Sequence, residues 1–141
     1  MNNKKRVLIL CTGNSARSQM AEGLLGSLAG TEFESFSAGV APTTVRPEAI
    51  EALAEIGIDI SRHRSKSVDE FLAQEFNYVI TVCDNANERC PVFPGETKRI
   101  HWSFADPAAV EGNHELRLAA FRKVRDQIAE QLRKFIQEES V

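Results

Sequence analysis

Apolar residues recur along the chain with two interleaved periods, one suited to strands and one to helices. Val7-Leu8-Ile9-Leu10 is an unbroken apolar run that predicts a buried strand over 6–11. A helical face follows over 17–29, with Met20, Ala21, Leu24, Leu25 and Leu28 on one side and Gly30 as its stop. Gly23 and Gly26 weaken that helix, so packing must hold it. Phe33 to Gly39 alternates and predicts a second strand over 33–39. Pro42 and Pro47 bound a loop, and Pro47 suits the first turn of a helix over 47–56 that points Ile50, Leu53 and Ile56 inward. An extended link runs over 58–61. Ser67-Val68-Asp69-Glu70 has capping-box spacing and opens a short helix to Leu72. Tyr78 to Val82 predicts the third strand, which ends at Cys83. Asp84 to Gly95 reads as a long polar loop that carries Cys90. A fourth strand is expected over 98–104, broken by Asp106-Pro107. The last helix is expected over 114–138, with Phe121, Val124, Ile128, Leu132 and Phe135 as its inward stripe. Arg122, Lys123, Arg125 and Lys134 read as its solvated face.

Strands alternating with helices imply an α/β fold, a four-stranded parallel sheet with helices on both faces. In such folds the active site lies beyond the carboxyl ends of the strands. Cys11 ends the first strand, Cys83 the third, and Asp106 follows the fourth, so this topology should gather them at one edge.

The 141 residues fit one domain over 1–141, and 43% hydrophobic content is enough for a single core. The net charge of −3 excludes a global basic field for nucleic acid or anionic membranes, so any anion site must be local. No apolar run approaches the roughly 20 residues of a membrane span. Lys4-Lys5-Arg6 precedes only a short apolar run, too short for a signal peptide. A cytoplasmic, monomeric protein is expected. In that compartment three cysteines do not suggest a permanent staple, and an odd count leaves one thiol over after any pairing. No short Cys or His pair points to zinc.

The chemistry concentrates in Cys11-Thr12-Gly13-Asn14-Ser15-Ala16-Arg17-Ser18, set between a strand and a helix. A loop in that place aims its amides, and the partial positive charge of the helix start, at whatever lies in front. Arg17 adds a planar fork that matches two oxyanion oxygens. The same field favours a Cys11 thiolate. A thiolate aimed at a bound tetrahedral oxyanion is a nucleophile with its substrate already placed. Cys11 alone would read as a core thiol and Arg17 as a surface cation. Their joint placement with Gly13 and Asn14 argues for a site. Cys83 and Cys90 taken singly would read as ordinary thiols, and Asp106-Pro107 as a turn.

Cys11 to Ser18 with the distant Asp106-Pro107 resembles the low-molecular-weight protein tyrosine phosphatase fold, a flavodoxin-like three-layer sandwich, along essentially the whole chain. More narrowly, the chain is similar to the thioredoxin-coupled arsenate reductases built on that fold. The segments that carry this are Arg17 to Gly23, Ser37-Ala38-Gly39, Gly57 to Ser61, Thr81-Val82-Cys83 through Cys90-Pro91, and His101 to Ala108. The resemblance implies that Cys11 is the nucleophile and that Thr12, Gly13, Asn14, Ser15, Ala16, Arg17 and Ser18 bind the oxyanion. It implies Asp106 as general acid and Cys83 and Cys90 as the redox pair. Thioredoxin would be the reductant and partner, with no tightly bound cofactor. Some arsenate reductases of this kind hold potassium near the loop through an Asn, a Glu, a Ser and a downstream Thr/Asp pair. Asn14, Glu22 and Ser37 are present here, but Arg64 and Lys66 stand downstream. A cationic side chain replacing the ion is therefore expected.

The expected reaction starts with Cys11 attacking arsenate while Asp106 protonates the departing oxygen. Cys83 then attacks Cys11, giving a transient Cys11–Cys83 disulfide and releasing arsenite. Cys90 attacks Cys83, and thioredoxin reduces the Cys83–Cys90 disulfide. Disulfide partners need Cα atoms within about 7 Å. Neighbouring strands lie roughly 5 Å apart, so Cys11 and Cys83 are compatible if strands one and three are adjacent. The segment 83–96 must remodel to bring Cys90 in. The competing expectation is a phosphatase hydrolysing phosphomonoesters through a Cys11 phospho-enzyme. Against it, Pro107-Ala108-Ala109 stands where that family places the aromatic residues of a phosphotyrosine pocket. A non-catalytic oxyanion-binding module is a third, which Cys11→Ser would separate from an enzyme.

Overall fold

A computed structural model describes residues 4–140. Four parallel strands, β1 (Lys5–Cys11), β2 (Phe33–Gly39), β3 (Tyr78–Thr81) and β4 (Lys98–His101), form one sheet in the order β2-β1-β3-β4. The α-helices are α1 (Arg17–Ala29), α2 (Pro47–Ala54), α3 (Asp84–Glu88) and α4 (His114–Glu139), with short 3-10 helices at Val68–Phe71 and Pro107–Ala109. Val7, Leu8, Ile9 and Leu10 are fully buried because β1 is central and covered on both faces. Phe33 and Phe36 lie on opposite faces of β2, as their odd spacing requires. Phe33 stacks against Phe135 of α4, and Phe36 against Phe71 and Phe76. Helices α1, α2 and α4 pack together. The 3-10 helix Val68–Phe71 and the aromatic cluster Phe36, Phe71, Phe76 and Phe93 cover the other face.

The chain leaves β1 for β2 on one side and returns to β3 on the other. The strand order therefore reverses at the carboxyl end of β1, which opens a crevice there. Gly39 sits against that end. A Cβ on it would come within 2.6 Å of the Thr12 carbonyl oxygen and 2.9 Å of the Asn14 nitrogen, so a bare backbone is required for the loop to lie down.

Several expectations are corrected. The polar stretch 84–95 is not all loop: α3 opens directly after Cys83 and is anchored by the fully buried Ala86. β4 stops at His101 rather than 104, because its neighbour β3 itself ends at Thr81 and Trp102 adds one last bond to the Thr81 carbonyl at 2.8 Å. α2 ends at Ala54, before the turn at Gly57, whose φ is +83°, and leaves Ile56 exposed instead of inward. Leu28 lies off the packed face of α1 and is exposed. Ser67 accepts from the Asp69 amide, but Glu70 turns away to pair with Arg64, so the reciprocal half of the capping box is missing. Arg125 is buried, not solvated, and donates to the Ala52 carbonyl at 2.7 Å and to Glu55. Among the described residues no helix is long and apolar enough to cross a membrane.

Candidate active site

The loop from Cys11 to Arg17 turns from β1 into α1 through Asn14, whose φ of +48° is the left-handed conformation that Asn tolerates better than most residues. Its side chain is fully buried and organises the loop. Asn14 Nδ2 donates to Ser18 Oγ at 2.8 Å and to Ser37 Oγ at 3.0 Å. With a lone pair of Ser18 Oγ thus engaged, the hydroxyl proton can point to Cys11 Sγ, 2.7 Å away. The Asn14 amide donates to the same sulfur at 3.1 Å. The Asn14 amide and the Ser18 hydroxyl thus both meet the Cys11 sulfur. Asn14 Oδ1 accepts from Gln19 Nε2 at 2.9 Å and from the Lys66 amide at 2.9 Å. Loop carbonyls are tied outward as well. Gly13 O accepts from Ser65 Oγ at 2.7 Å and from the Thr43 amide at 3.0 Å, and Ser15 O accepts from the Arg46 amide at 2.9 Å. No side chain caps the start of α1, which leaves its first amides and dipole facing the crevice.

Arg17 is held from the segment that follows β4: its Nη1 donates to the Phe104 carbonyl at 3.1 Å. Asp106 stands beside it, with Oδ2 at 4.0 Å from Arg17 Nη2 and Oδ1 accepting from the Ala108 amide at 3.0 Å. Pro107 fixes the turn, and its own fold-back leaves Asp106 about half exposed at the rim. Cys83 Sγ lies 3.3 Å from Thr12 Oγ1, and Asn85 Nδ2 donates to that same hydroxyl at 3.0 Å. Cys11, Arg17, Cys83 and Asp106 are thereby brought to one edge. Cys90 is placed apart, past the end of α3, half-buried, with its thiol near the Pro91 carbonyl. Burial pushes the Cys90 thiol above the ordinary range, and Arg99 opposes this. All three cysteines are free thiols.

The three residues singled out beside the loop, Asn14, Glu22 and Ser37, form one chain of contacts: Ser37 Oγ donates to Glu22 Oε1 at 2.5 Å. The Lys66 ammonium reaches into the same place, 3.8 Å from Glu22 Oε1 and 3.1 Å from the Arg64 carbonyl. Burial holds Lys66 below the usual lysine range, with Glu22 working against it. Arg64 instead points out to Glu70. Among the described residues, no three His, Cys, Asp or Glu side chains cluster as a metal ion would need.

Sequence reasoning missed Gln19, fully buried and bonded to Asn14 and to the Arg64 carbonyl; His63, which reads from the sequence as structural or solvent-facing, places its Nδ1 3.0 Å from Gln19 Oε1. A polar residue beside the buried stripe of α1 is the available signal, but its partner lies 45 residues away in sequence.

The model of the low molecular weight phosphotyrosine protein phosphatase family matches residues 6–140. The chain is 46% identical over 133 residues to the arsenate reductase of Halalkalibacterium halodurans, covering 94% of this chain and 96% of that one. It is similar to a solved arsenate reductase in the phosphate binding state, with a TM-score of 0.76, 31% identity and coverage of 96% and 99% of the two chains. It is also similar to the thioredoxin-dependent arsenate reductase of Corynebacterium glutamicum, with a TM-score of 0.70 and 30% identity over 97% of this chain and 64% of that chain.

Proposed function

The chain belongs to the low molecular weight phosphotyrosine protein phosphatase family, and we propose that within it this protein is an arsenate reductase that converts arsenate to arsenite by a relay of three thiols. The observation that carries the reading is the second sulfur at the anion loop, Cys83 Sγ against Thr12 Oγ1 at 3.3 Å. A phosphatase has no use for a thiol there; a reductase needs one within reach of the first adduct.

The Cys11 thiolate attacks arsenic(V), and an oxygen leaves as water on a proton from Asp106. The amides of 12–17 and the Arg17 fork carry the negative charge of the oxyanion through the step. Cys83 then attacks Cys11 Sγ. The electron pair of the sulfur–arsenic bond stays with arsenic, which departs as arsenite, and Cys11–Cys83 is left as a disulfide. Cys90 attacks Cys83 and releases Cys11 as a thiolate. The two electrons now missing from Cys83 and Cys90 are returned by a dithiol, for which thioredoxin is the proposed donor, supported by the thioredoxin-dependent structural neighbour. Such a cycle needs a reducing compartment, which makes the cytoplasm its proposed place.

The test is steady-state arsenate reduction coupled to thioredoxin, thioredoxin reductase and NADPH. Cys83→Ser and Cys90→Ser should lose turnover with arsenate and keep hydrolysis of an aryl phosphate. Turnover of both variants at the parent rate overturns the relay.

A further inference from the structure

His101 closes β4 directly opposite Thr81 of β3, one strand away from the redox thiol. Its imidazole spans the segment that carries Cys83. Nε2 lies 3.0 Å from Asp84 Oδ1, and Nδ1 lies 2.8 Å from Thr81 Oγ1. A carboxylate only accepts, so Nε2 carries the proton, and in the neutral ring Nδ1 accepts from the Thr81 hydroxyl. Thr81 is buried and two residues before Cys83; Asp84 is one residue after it and opens α3. One ring therefore fixes the chain on both sides of the thiol.

We propose that His101 is a positioning residue of the relay, a clasp that keeps the first turn of α3 wound in the dithiol form and is released when Cys83 pairs with Cys90. The inference rests on the relay reading above. α3 occupies five of the seven positions from Asp84 to Cys90, and five helical residues advance the chain by about 7.5 Å, leaving only Arg89 to turn Cys90 back. A disulfide needs Cα atoms within about 7 Å. Closing the bridge therefore unwinds part of α3 and moves Asp84, the residue joined to Cys83. A helix of five residues has little stability of its own, so contacts from outside decide how readily it unwinds. Those contacts include the buried Ala86, the Asn85 bond to Thr12, the Asn87 side chain 3.4 Å from the Thr81 hydroxyl, and the His101 bridge. A contact made in the dithiol form and lost in the disulfide form shifts the balance between them toward the dithiol. It makes the Cys83–Cys90 disulfide easier for the external reductant to open.

The test equilibrates the full chain in buffers of oxidised and reduced dithiothreitol. Cys83 and Cys90 give two electrons and two protons to the oxidised reagent, and the disulfide is quantified by alkylation and peptide mapping. His101→Ala should shift the balance toward the disulfide by about two- to fivefold, the modest scale of a partly exposed pair. Asp84→Ala, which removes the acceptor, should do nearly the same, and the double variant should add little to either one. His101→Gln, whose amide can still donate to Asp84, should recover most of the loss. Aryl phosphate hydrolysis should be unchanged throughout, because none of these groups touches Cys11, Arg17 or Asp106. An unshifted balance in His101→Ala, or fully additive single effects, overturns the clasp and leaves the relay standing. Failure of the parent chain to form Cys83–Cys90 at all overturns both.

Discussion

The anion loop and the resolving segment meet at one rim of the sheet and are built in opposite ways. Around Cys11 the polar side chains Asn14, Ser18, Gln19 and Ser37 are fully buried, and each has its hydrogen-bond partners inside the protein. After Cys83, the residues of α3 are exposed apart from Ala86. The difference follows from what each sulfur must do. An oxyanion cradle works by having its donors fixed before the substrate arrives, so reorganisation is avoided at the moment of reaction. Resolving thiols must approach one another, so Cys83 and Cys90 are joined through a short helix with few anchors, drawn from the low-stability end of the fold.

Replacing the nucleophile breaks both halves of the comparison at once. Cys11→Ser should lower arsenate reduction and aryl phosphate hydrolysis alike, by at least about 1,000-fold, in paired kinetic assays. An oxyanion-binding module without catalysis would show no such loss.

Removing one amide from each region separates rigidity from mobility. Asn14→Ala strands the buried hydroxyls and amides it serves and puts a left-handed φ on an alanine. It should cost about 2–4 kcal/mol in urea unfolding. Asn85→Ala, on the exposed helix, should cost less than about 1 kcal/mol and act mainly on the relay.

The raised thiol of Cys90 gives the comparison a pH axis. Burial holds it above the ordinary cysteine range, so at neutral pH its thiolate is scarce. Formation of the Cys83–Cys90 disulfide, followed by quenched alkylation, should therefore speed up as pH rises through neutrality and level off only above the usual thiol range. A flat profile would mean that another step sets the rate.

The smallest effect expected is none. Lys66 places an ammonium beside Glu22, next to Asn14 and Ser37, so exchanging sodium for potassium should leave the rate of arsenate reduction unchanged. A clear gain with potassium would show that the ammonium does not fill that role.

How much of this was legible in the sequence follows the same division. The loop is local: a four-residue apolar run, a glycine, an asparagine and an arginine within one strand–turn–helix could be read without the fold. The parallel sheet was legible because alternating periods leave few topologies. α3 was not, since Asp84-Asn85-Ala86-Asn87-Glu88 holds a single buried residue and shows no helical period. Arg125 read as solvated because its partners, the Ala52 carbonyl and Glu55, come from another helix. Gln19 and Ser65 were missed for the same reason, and His101 read only as structural or solvent-facing. Each works through a residue distant in sequence, which periodicity does not reveal.

The most direct measurement of the central claim uses Cys90→Ser, in which the relay should stall halfway. Mixed with arsenate in the absence of any added thiol, the variant should release one arsenite per chain, and peptide mapping should find Cys11 joined to Cys83. Arsenite released while both of those thiols still alkylate freely, or no arsenite from a variant that still hydrolyses an aryl phosphate, would contradict electron delivery from Cys83.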